Sequence, residues 1–407
     1  MAIMQPIKTT EETKHRSYDV VIIGGAMIGA AVAWFTASNP DFTGKILVVE
    51  KDPSLEFSST SRTNSSIRQQ FSNKTNILIS QFSARYISEF KQYMENDPNV
   101  PTISFKKIGY LYLANNHIDC NILKKNQQLQ LSLNTPTSIM NSESLSEKFP
   151  YLNVADILTG SFNQHNEGYF DAMTMLNCWI RKAKEKGVEF VKGEVKKLEI
   201  KSKQIKAIVL SNGSRIQVGK IVNATGPRAP ILTKNIHFSL PIEARKRFTF
   251  LFRCATSLAG ELPLVIDPSG VHVRSDGNQF LCGFAPDIDK EVAFDDFTVD
   301  YQLWETKIWP ILAHRIPAFE KIKLVNAWAG HYAFNTFDQN AIIGPHPEVT
   351  NFFFANGFSG HGLQQSPAVG RGISELIIYN KYMNLDLKSL SPIRLIEKRP
   401  FLERAII

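Results

Sequence analysis

Two glycines near the N-terminus, followed by an acidic residue, have the spacing that dinucleotide binding requires. Gly24 and Gly29 lie between an apolar run that predicts a strand and another that predicts a helix. Gly24 would make the tight turn after the strand, and Gly29 would let the helix pack closely against it. Glu50 ends the next apolar run, at the position where a carboxylate accepts a ribose hydroxyl. The pattern predicts a helix N-terminus that faces a dinucleotide pyrophosphate.

The middle position of this glycine pattern is Ala26, so a methyl group stands where the backbone should come closest to phosphate. Gly25 beside it supplies part of the missing backbone freedom.

The stretch from Val20 to Ala37 is uncharged and about as long as a membrane span. Its glycines, the adjoining Asp19 and the lack of a basic flank favour a buried strand and helix instead.

A second glycine turn begins at Gly357, in the run G-F-S-G-H-G-L-Q-Q. An apolar strand precedes it, and a predicted helix follows it to about Tyr379. The N–H groups and the positive end of this helix would face something anionic or electron-accepting. If the ligand is a flavin, the natural target is the N1–C2=O edge of its ring, where negative charge develops on reduction.

Polar residues between the two turns are further candidates for the site. The segment 51–66 is rich in Ser and Thr and would line a bound nucleotide, unless it is an ordinary solvated loop. Arg68 follows it and would hold a phosphate, the flavin pyrimidine edge or a substrate carboxylate. His272 and Arg274 share one face of a predicted strand, and that face looks either onto the ligand or into water.

Helices and strands alternate along the chain that carries these groups. Apolar spacing predicts helices at 77–94, 120–131 and 301–312, and one from Asp171 as N-cap to a stop at Gly187. Strands are predicted at 108–113, 194–200, 205–210, 215–218 and, separately, 221–226. The last of these ends in small residues up to Gly226, which would let the backbone approach a nucleotide.

With 407 residues, of which 43% are hydrophobic and 21% charged, the chain has the size and composition of two globular domains. The net charge of +8 is not concentrated in a nucleic-acid surface, because the densest basic run, 181–186, alternates with Ala and Glu as a solvated helix face does. The cysteines and histidines lack metal-ligand or redox spacing, so we expect a reducing compartment and no metal. Residues 1–16 show no recognisable targeting peptide.

Five segments together carry a family resemblance: the first glycine turn, the Ser/Thr loop with Arg68, I-V-N-A-T-G, the block W-A-G-H-Y to I-I-G, and G-F-S-G-H-G. With them the chain resembles the FAD-dependent amine and amino-acid oxidases, which include D-amino-acid, glycine and sarcosine oxidases. The resemblance implies an α/β fold with a discontinuous Rossmann-type FAD-binding domain and a second α+β substrate domain on a mainly antiparallel sheet. The implied limits are 17–96, 165–240 and 326–390 for the first domain, 97–164 and 241–325 for the second, and 1–16 and 391–407 for two terminal extensions.

By position, the resemblance implies FAD contacts from both glycine turns and from the segments between them: Gly24, Gly25, Ala26, Gly29, Glu50, Ser61, Arg68, Gly226, Gly357, Ser359, Gly360, His361, Gly362 and Leu363. Arg68, Arg274, His331 and Tyr332 would surround the substrate. The implied reaction is hydride transfer to the flavin from a carbon next to an amine, which gives an imine that water hydrolyses. Positioning would supply much of the acceleration.

The chain departs from this family at three places. Sarcosine oxidases attach FAD through a cysteine in the block where this chain has His331, and no cysteine follows Cys282, which implies non-covalent FAD. A lysine of those enzymes is replaced by Gln364. The arginine that clamps carboxylate in D-amino-acid and glycine oxidases falls where this chain has Ala329 and Gly330. Tight binding of a simple amino acid would then need Arg68 or Arg274.

The resemblance leaves two functions open. One is FAD-dependent oxidation of a small amine or N-methyl amino acid. The other is a flavin-holding assembly factor without turnover, because the chain resembles a mitochondrial branch of the family that is implicated in assembling respiratory complex I. Either function implies a place in the mitochondrial matrix, complex I assembly intermediates as partners and at most peripheral membrane contact. An NAD-dependent dehydrogenase would not explain the C-terminal glycine turn.

Overall fold

The computed structural model describes residues 6–286 and 288–404. In chain order, the strands are β1 (Ser17–Ile23), β2 (Ile46–Glu50), β3 (Ser66–Ile67), β4 (Phe105–Lys106), β5 (Tyr110–Ala114), β6 (Ser138–Met140), β7 (Thr159–Asn163), β8 (Gly168–Phe170), β9 (Glu189–Lys192), β10 (Val195–Lys201), β11 (Gln204–Leu210), β12 (Arg215–Asn223), β13 (Ile242–Cys254), β14 (Leu264–Ile266), β15 (His272–Asp276), β16 (Gln279–Phe284), β17 (Ile322–Asn335), β18 (Ile342–Pro345) and β19 (Phe352–Asn356). The helices are α1 (Met27–Ala37), α2 (Lys74–Ser88), α3 (Phe90–Tyr93), α4 (His117–Ser132), α5 (Ser142–Lys148), α6 (Ala172–Glu185), α7 (Ala229–Thr233), α8 (Tyr301–Leu303), α9 (Trp309–Arg315), α10 (Gly362–Tyr379) and α11 (Ile393–Ile396). A π-helical turn, Trp304–Ile308, joins α8 to α9.

The first sheet brings the two glycine turns to one edge. Strand β1 lies between β2 and β12, with β9 beyond β2 and β19 beyond β12, and all of these pairs are parallel. Strands β10 and β11 extend the sheet as an antiparallel hairpin on β12, and β18 pairs antiparallel with β19. The turns that lead to α1 and α10 follow the carboxyl ends of β1 and β19. Ligands bind at that edge in sheets of this kind.

Helices α1, α2, α6 and α10 cover one face of this sheet. Strand β1 is apolar on both faces because helices or other chain segments cover both, and Val21 and Ile22 are fully buried. Helices α1 and α10 touch along a line of small residues, where a Cβ on Gly370 would lie 2.6 Å from the Cβ of Ala31. This close packing fixes the N-termini of the two helices relative to each other.

The second sheet has the strand order β17-β13-β16-β15-β14-β5-β7-β6. All of its pairs are antiparallel except β14 with β5. Its core is strongly aromatic: Phe250 and Phe252 of β13 pack against Trp304 with ring centroids 5.1 and 5.6 Å apart. The α/β fold with a mainly antiparallel second sheet is confirmed. A small sheet of β3, β8 and β4 accompanies the two larger ones.

Several local predictions are confirmed, and two are wrong. Asp171 caps α6, since its carboxylate accepts a hydrogen bond from the Thr174 N–H at 3.1 Å. The predicted strands at 215–218 and 221–226 are one strand, β12, because its pairing with β1 runs from Gln217 to Asn223 across the expected gap, while β11 pairs with its first three residues. The predicted helix at 77–94 is divided into α2 and α3, because Glu89 leaves the helical conformation at φ −105° and ψ 23°.

The predicted domain limits stay a prediction. Residues 326–335, assigned by resemblance to the FAD-binding domain, belong to β17, which pairs with β13 in the second sheet. Of the terminal extensions, residues 1–5 and 405–407 lie outside the described part of the chain, while Thr10 forms a bridge with Val191 beside the first sheet. Within residues 6–286 and 288–404, no helix combines the length and the apolar character needed to cross a membrane.

Candidate functional site

A cavity of about 660 Å³ opens where α1 and α10 begin. Its volume lies within the range of about 300–1,000 Å³ that is usual for ligand pockets. The lining comes from the turn after β1, the segment that follows β2, the turn at Gly226, strands β13 and β17, and the turn before α10. Residues far apart in the chain therefore meet around one space.

The first turn brings uncapped helix N–H groups to this cavity. Gly24 has a φ of +101°, and a Cβ on Gly29 would lie 1.8 Å from the carbonyl oxygen of Gly24, so only glycine lets α1 approach β1 this closely. Ala26 lines the cavity in ordinary extended backbone, with φ −73° and ψ −163°, so the fold accommodates its methyl group. No side chain caps α1. Apart from the Met27 N–H, which lies 3.4 Å from the Thr60 hydroxyl, the first N–H groups of α1 are therefore available to an anion.

Glu50 lines the cavity with a carboxylate that the backbone holds in place. Its Oε2 accepts a hydrogen bond from the Gly25 N–H at 2.6 Å, and its Oε1 accepts one from the Asp52 N–H at 2.8 Å. Each oxygen keeps a second lone pair for an incoming hydroxyl. Burial raises the pKa of Glu50, and the two N–H donors act in the opposite direction.

The polar segment after β2 also lines the cavity, and Thr60 accepts a weak hydrogen bond from the N–H of Met27, the first residue of α1, at 3.4 Å. Ser61 is turned away. Its hydroxyl donates to the carbonyl of Leu55 at 2.6 Å, and it is not among the described residues that line the cavity. Ser61 therefore shapes this loop, and its neighbours Ser58, Ser59, Thr60, Arg62, Thr63 and Asn64 face the space.

The second glycine turn repeats the form of the first. Gly360 has a φ of +91°, and a Cβ there would lie 2.4 Å from Cε2 of Tyr332. His361 stands at the N-cap of α10 without a side-chain capping bond, so this helix also presents free N–H groups. The residues of this turn that line the cavity are Phe358, Ser359, Gly360, His361, Gly362 and Leu363. Gly357 is not among the described residues that line the cavity, and a Cβ there would lie 3.2 Å from Cδ1 of Ile242.

Arg68 is 2% exposed and joins the segment before α2 to the start of α10. One of its Nη atoms lies 3.0 Å from Nε2 of His361, and its backbone N–H donates to Oε1 of Gln364 at 2.8 Å. Its guanidinium lies over the ring of Phe71, 4.0 Å from the centroid. Burial, with the adjacent Arg68 charge, holds the pKa of His361 well below its usual range. Gln364 therefore supports Arg68 at the position where sarcosine oxidases carry lysine.

A buried carboxylate supports Arg68 from the other side. Glu167 is fully buried and accepts hydrogen bonds from the N–H groups of Gln69 and Gln70, at 2.6 and 2.9 Å, and from the Gln70 amide at 2.9 Å. The Gln70 carbonyl in turn accepts a hydrogen bond from Arg68 at 2.5 Å. Burial raises the pKa of Glu167 to about 7. No sequence pattern had indicated this residue, because its partners are distant in the chain.

His331 and Tyr332 of β17 both line the cavity. The His331 ring stacks on Phe297 with centroids 4.2 Å apart, and its Nε2 lies 2.8 Å from the Asp296 carbonyl oxygen. A carbonyl only accepts, so Nε2 carries the proton. Burial lowers the pKa of His331. The neighbouring Tyr332 supports the Gly360 turn.

Of the two candidates on β15, the structure brings His272 to the cavity and not Arg274. Arg274 is fully buried, donates to the Ser275 and Asn64 carbonyls at 2.8 Å each, and lies over the ring of Tyr169. As a substrate contact Arg274 is poorly placed, because its guanidinium is engaged in the wall. Arg247 of β13 lines the cavity instead, and the alternation of residues along that strand had been the available signal.

The features that border the cavity fit a dinucleotide cofactor whose second half is an electron-accepting ring. One cavity of suitable volume is bordered by two helix N-termini without side-chain caps, a carboxylate fixed by backbone N–H groups, and glycines at positions where a Cβ would clash. Among the described residues, no group of three His, Cys, Asp or Glu side chains is placed to hold a metal ion. The described residues that line the cavity include no cysteine.

Comparisons with known proteins agree with this fit. The model of the FAD dependent oxidoreductase (DAO) family matches residues 19–376, so the chain belongs to that family. It is 33% identical to FAD-dependent oxidoreductase domain-containing protein 1 of Xenopus laevis, over 99% of this chain and 87% of that protein. It is 23% identical to mitochondrial dimethylglycine dehydrogenase of Homo sapiens, over 96% of this chain and 45% of that protein. The crystal structure of L-proline dehydrogenase from P. horikoshii matches with a TM-score of 0.82 and 26% identity, over 95% of this chain and 99% of that one.

The chain is thus an FAD-dependent oxidoreductase of the amine and amino-acid oxidase type, and FAD rather than NAD is its cofactor. The fold and the cofactor expected from the sequence are confirmed.

Proposed function

We propose that the chain oxidises the C–N bond of a small secondary amine or N-methyl amino acid. The observation that carries this proposal is the second turn, where the uncapped N-terminus of α10 lies beside Tyr332 and Arg68 at one part of the FAD-type cavity. L-proline dehydrogenase and dimethylglycine dehydrogenase support it, since both are named for amino acids whose nitrogen carries extra carbon substituents.

In this proposal, the first turn would hold the adenine nucleotide part of FAD. The N–H groups at the start of α1 would bind the pyrophosphate, Glu50 would accept the ribose hydroxyls, and Gly226 would admit the backbone close to the nucleotide. The turn from Ser359 to Leu363 would bind the ring, with its N–H groups directed at the edge that gains negative charge.

In the proposed reaction the carbon next to the nitrogen loses a hydride, which is the chemistry that bound FAD supplies, and water hydrolyses the resulting imine. Arg68 would place positive charge beside this part of the cavity, and His361 would stay neutral there. The stacked pair of His331 and Phe297 would help to exclude water from the wall. No strong base is needed if the amine binds in its unprotonated form.

Flavin bleaching without oxygen tests this proposal. The purified holoprotein is mixed anaerobically with N-methyl amino acids, proline and polyamines, and the flavin absorbance is followed. We expect at least one secondary amine to bleach the flavin. If dithionite bleaches it and no amine does, the oxidase-type reaction is not the function.

We infer from the resemblance that the chain acts in the mitochondrial matrix and contributes to assembly of respiratory complex I, with or without turnover. The word mitochondrial in the name of the human dimethylglycine dehydrogenase supports the location. The test is to delete the gene and to restore either the wild type or a variant that keeps FAD but is not bleached by amines. Normal complex I with both would favour the flavin-holding assembly factor, and unchanged complex I after deletion would contradict any assembly role.

A further inference from the structure

A second cavity, of about 280 Å³, lies between α10 and the end of α1. It shares none of its described lining residues with the larger cavity. Its wall comes from the last turn of α1 and the two residues after it, from α10 between Arg371 and Tyr379, and from the turn at Met383 and Asn384. The N-termini of α1 and α10 face the larger cavity, so the second cavity borders the same two helices further along their length.

Arg371 brings a positive charge to this second cavity. Its side chain is 22% exposed, and its guanidinium lies over the ring of Phe82, 3.8 Å from the centroid. Its Nε stands 3.8 Å from Oε1 of Glu375, which is beyond hydrogen-bond distance. No described residue accepts a hydrogen bond from the guanidinium, and its nitrogen atoms keep accessible surface. Burial lowers the pKa of Arg371, with Glu375 acting in the opposite direction.

Two neutral donors line the same cavity. Ser374 follows one turn after Arg371 and is 2% exposed, and its hydroxyl has no hydrogen-bond partner among the described residues. Unlike the enclosed hydroxyls of Ser80 and Ser83, the Ser374 hydroxyl keeps accessible surface. Asn39 accepts a hydrogen bond at Oδ1 from the Asp41 N–H at 2.9 Å, which fixes the amide and leaves its Nδ2 without an acceptor in the described chain.

The neighbouring carboxylates are already held by other groups. Oε2 of Glu375 accepts a hydrogen bond from the Met383 N–H at 2.7 Å, and Oε1 accepts one from the Asn384 amide at 2.6 Å. The Tyr379 hydroxyl donates to Oδ2 of Asp41 at 2.6 Å. These bonds keep both acids in place, so the donors of the cavity lack an oxygen acceptor that could approach Arg371 closely.

We propose that this second cavity binds a small oxyanion, a phosphate or carboxylate group, through Arg371, Ser374 and Asn39. Hydrogen bonds from a guanidinium to such a group are charge-assisted and strong. The cavity is slightly smaller than the range of about 300–1,000 Å³ that is usual for ligand pockets, so it suits a group of few atoms. Because Asn39 follows α1 and Arg371 lies on α10, the bound anion would tie the end of α1 to α10.

Calorimetric titration of the holoprotein tests the site. Bound FAD occupies the first glycine turn, which would otherwise attract phosphate itself. Inorganic phosphate and acetate are titrated separately, and we expect one of them or both to bind, with one site per chain, and to raise the thermal unfolding midpoint. We expect Arg371→Met to raise the Kd by about 10–100-fold and Ser374→Ala by about 2–10-fold, while Arg371→Lys restores part of the affinity.

Arg85→Met is the matched control for this site. Arg85 also lies over the Phe82 ring, 5.7 Å from its centroid, but it is exposed and is not among the described residues that line the second cavity. This variant should keep the wild-type Kd. The site is overturned if the wild type binds neither anion, if Arg371→Met binds normally, or if Arg85→Met weakens binding as much as Arg371→Met. If Arg371→Met does not fold, wild-type affinity in both Ser374→Ala and Arg371→Lys overturns it.

Discussion

The Arg68 guanidinium donates a hydrogen bond to Nε2 of His361 over 3.0 Å, across 293 residues of sequence. Arginine has donors only, so Nε2 of His361 must accept and the ring proton must sit on Nδ1. The ring is neutral, since burial and the neighbouring charge keep its pKa well below the usual range. The Arg68 guanidinium therefore places a positive charge at the first turn of α10, and the neighbouring His361 ring adds none.

Arg68→Met should weaken FAD binding, because it removes a charge-assisted hydrogen bond at the turn that we assign to the flavin ring. Such bonds contribute about 1.5–3 kcal/mol, which corresponds to roughly 10–100-fold in Kd. The measurement is the quenching of flavin fluorescence on titration of apoprotein. Arg85→Met is the control. Arg85 is exposed on α2, so this variant protein should bind FAD with the wild-type Kd. Equal Kd values for the two variants would contradict the role of Arg68.

Gly29→Ala should destabilise the first βα unit and release FAD. The added Cβ would lie 1.8 Å from the Gly24 carbonyl oxygen, so α1 must move away from β1, at a cost of about 1–3 kcal/mol. Gly25→Ala is the matched variant, because its Cβ would be no closer than 3.2 Å to Glu50. We expect a clearly lower thermal unfolding midpoint and less bound flavin for Gly29→Ala than for Gly25→Ala. The same loss in both would point to a general intolerance of this turn.

Stability should fall with rising pH through the titration of Glu167. Burial raises the pKa of this carboxyl from 4.5 to about 7, so between these values the folded protein holds a proton that the unfolded chain releases. Raising the pH across this interval therefore lowers the free energy of unfolding by about 1.4 kcal/mol per pH unit. The amide in Glu167→Gln does not titrate, so the stability of this variant lacks that pH dependence.

The check is chemical denaturation of the wild type and Glu167→Gln at several pH values from 4.5 to 7.5. We expect the advantage of the wild type over Glu167→Gln to shrink as the pH rises and to level off above about pH 7. A difference that stays constant over this range would show that Glu167 does not titrate there.

FAD should leave the protein when the protein is denatured. The cysteines of the chain are Cys120, Cys178, Cys254 and Cys282, and none of them lines the cavity. His331, which stands in the block where sarcosine oxidases attach FAD, has its Nε2 hydrogen-bonded to the Asp296 carbonyl. After acid precipitation we expect the flavin absorbance in the supernatant. A yellow pellet would show a covalent bond, and its loss in His331→Ala would identify the attachment point.

The parts of the fold that could be predicted from the sequence are those that local chemistry determines. The turn at Gly24, the cap at Asp171 and the helix after Gly360 follow from backbone conformation and nearest neighbours. The continuity of β12 could not be predicted, because it depends on pairing with the N-terminal strand β1 from Gln217 to Asn223. Such pairings depend on residues far away in the chain.

The site residues also fall into those with a local sequence signal and those placed by distant parts of the chain. Glu50 and the residues of the two glycine turns have local signals, and the structure brings most of them to one cavity. Ser61 and Arg274 have suitable side chains but turn to their own loop and wall, which only the packed structure decides. Strand alternation at Arg247 and His272 indicates a shared face but not what that face looks onto, which the pairing of β13, β16 and β15 decides, and no short motif marks the buried Glu167.

The contact of Ala31 with Gly370 joins the first helix to the last long one. On the ribosome, the N-terminal strand and helix emerge early, but the turn from Ser359 to Leu363 emerges only when most of the chain has been made. Capture of FAD therefore awaits synthesis of this second turn, and a premature stop before residue 362 would remove α10, so that the cofactor site would lack its second helix N-terminus and α1 would keep α6 but lose Gly370 as a packing partner.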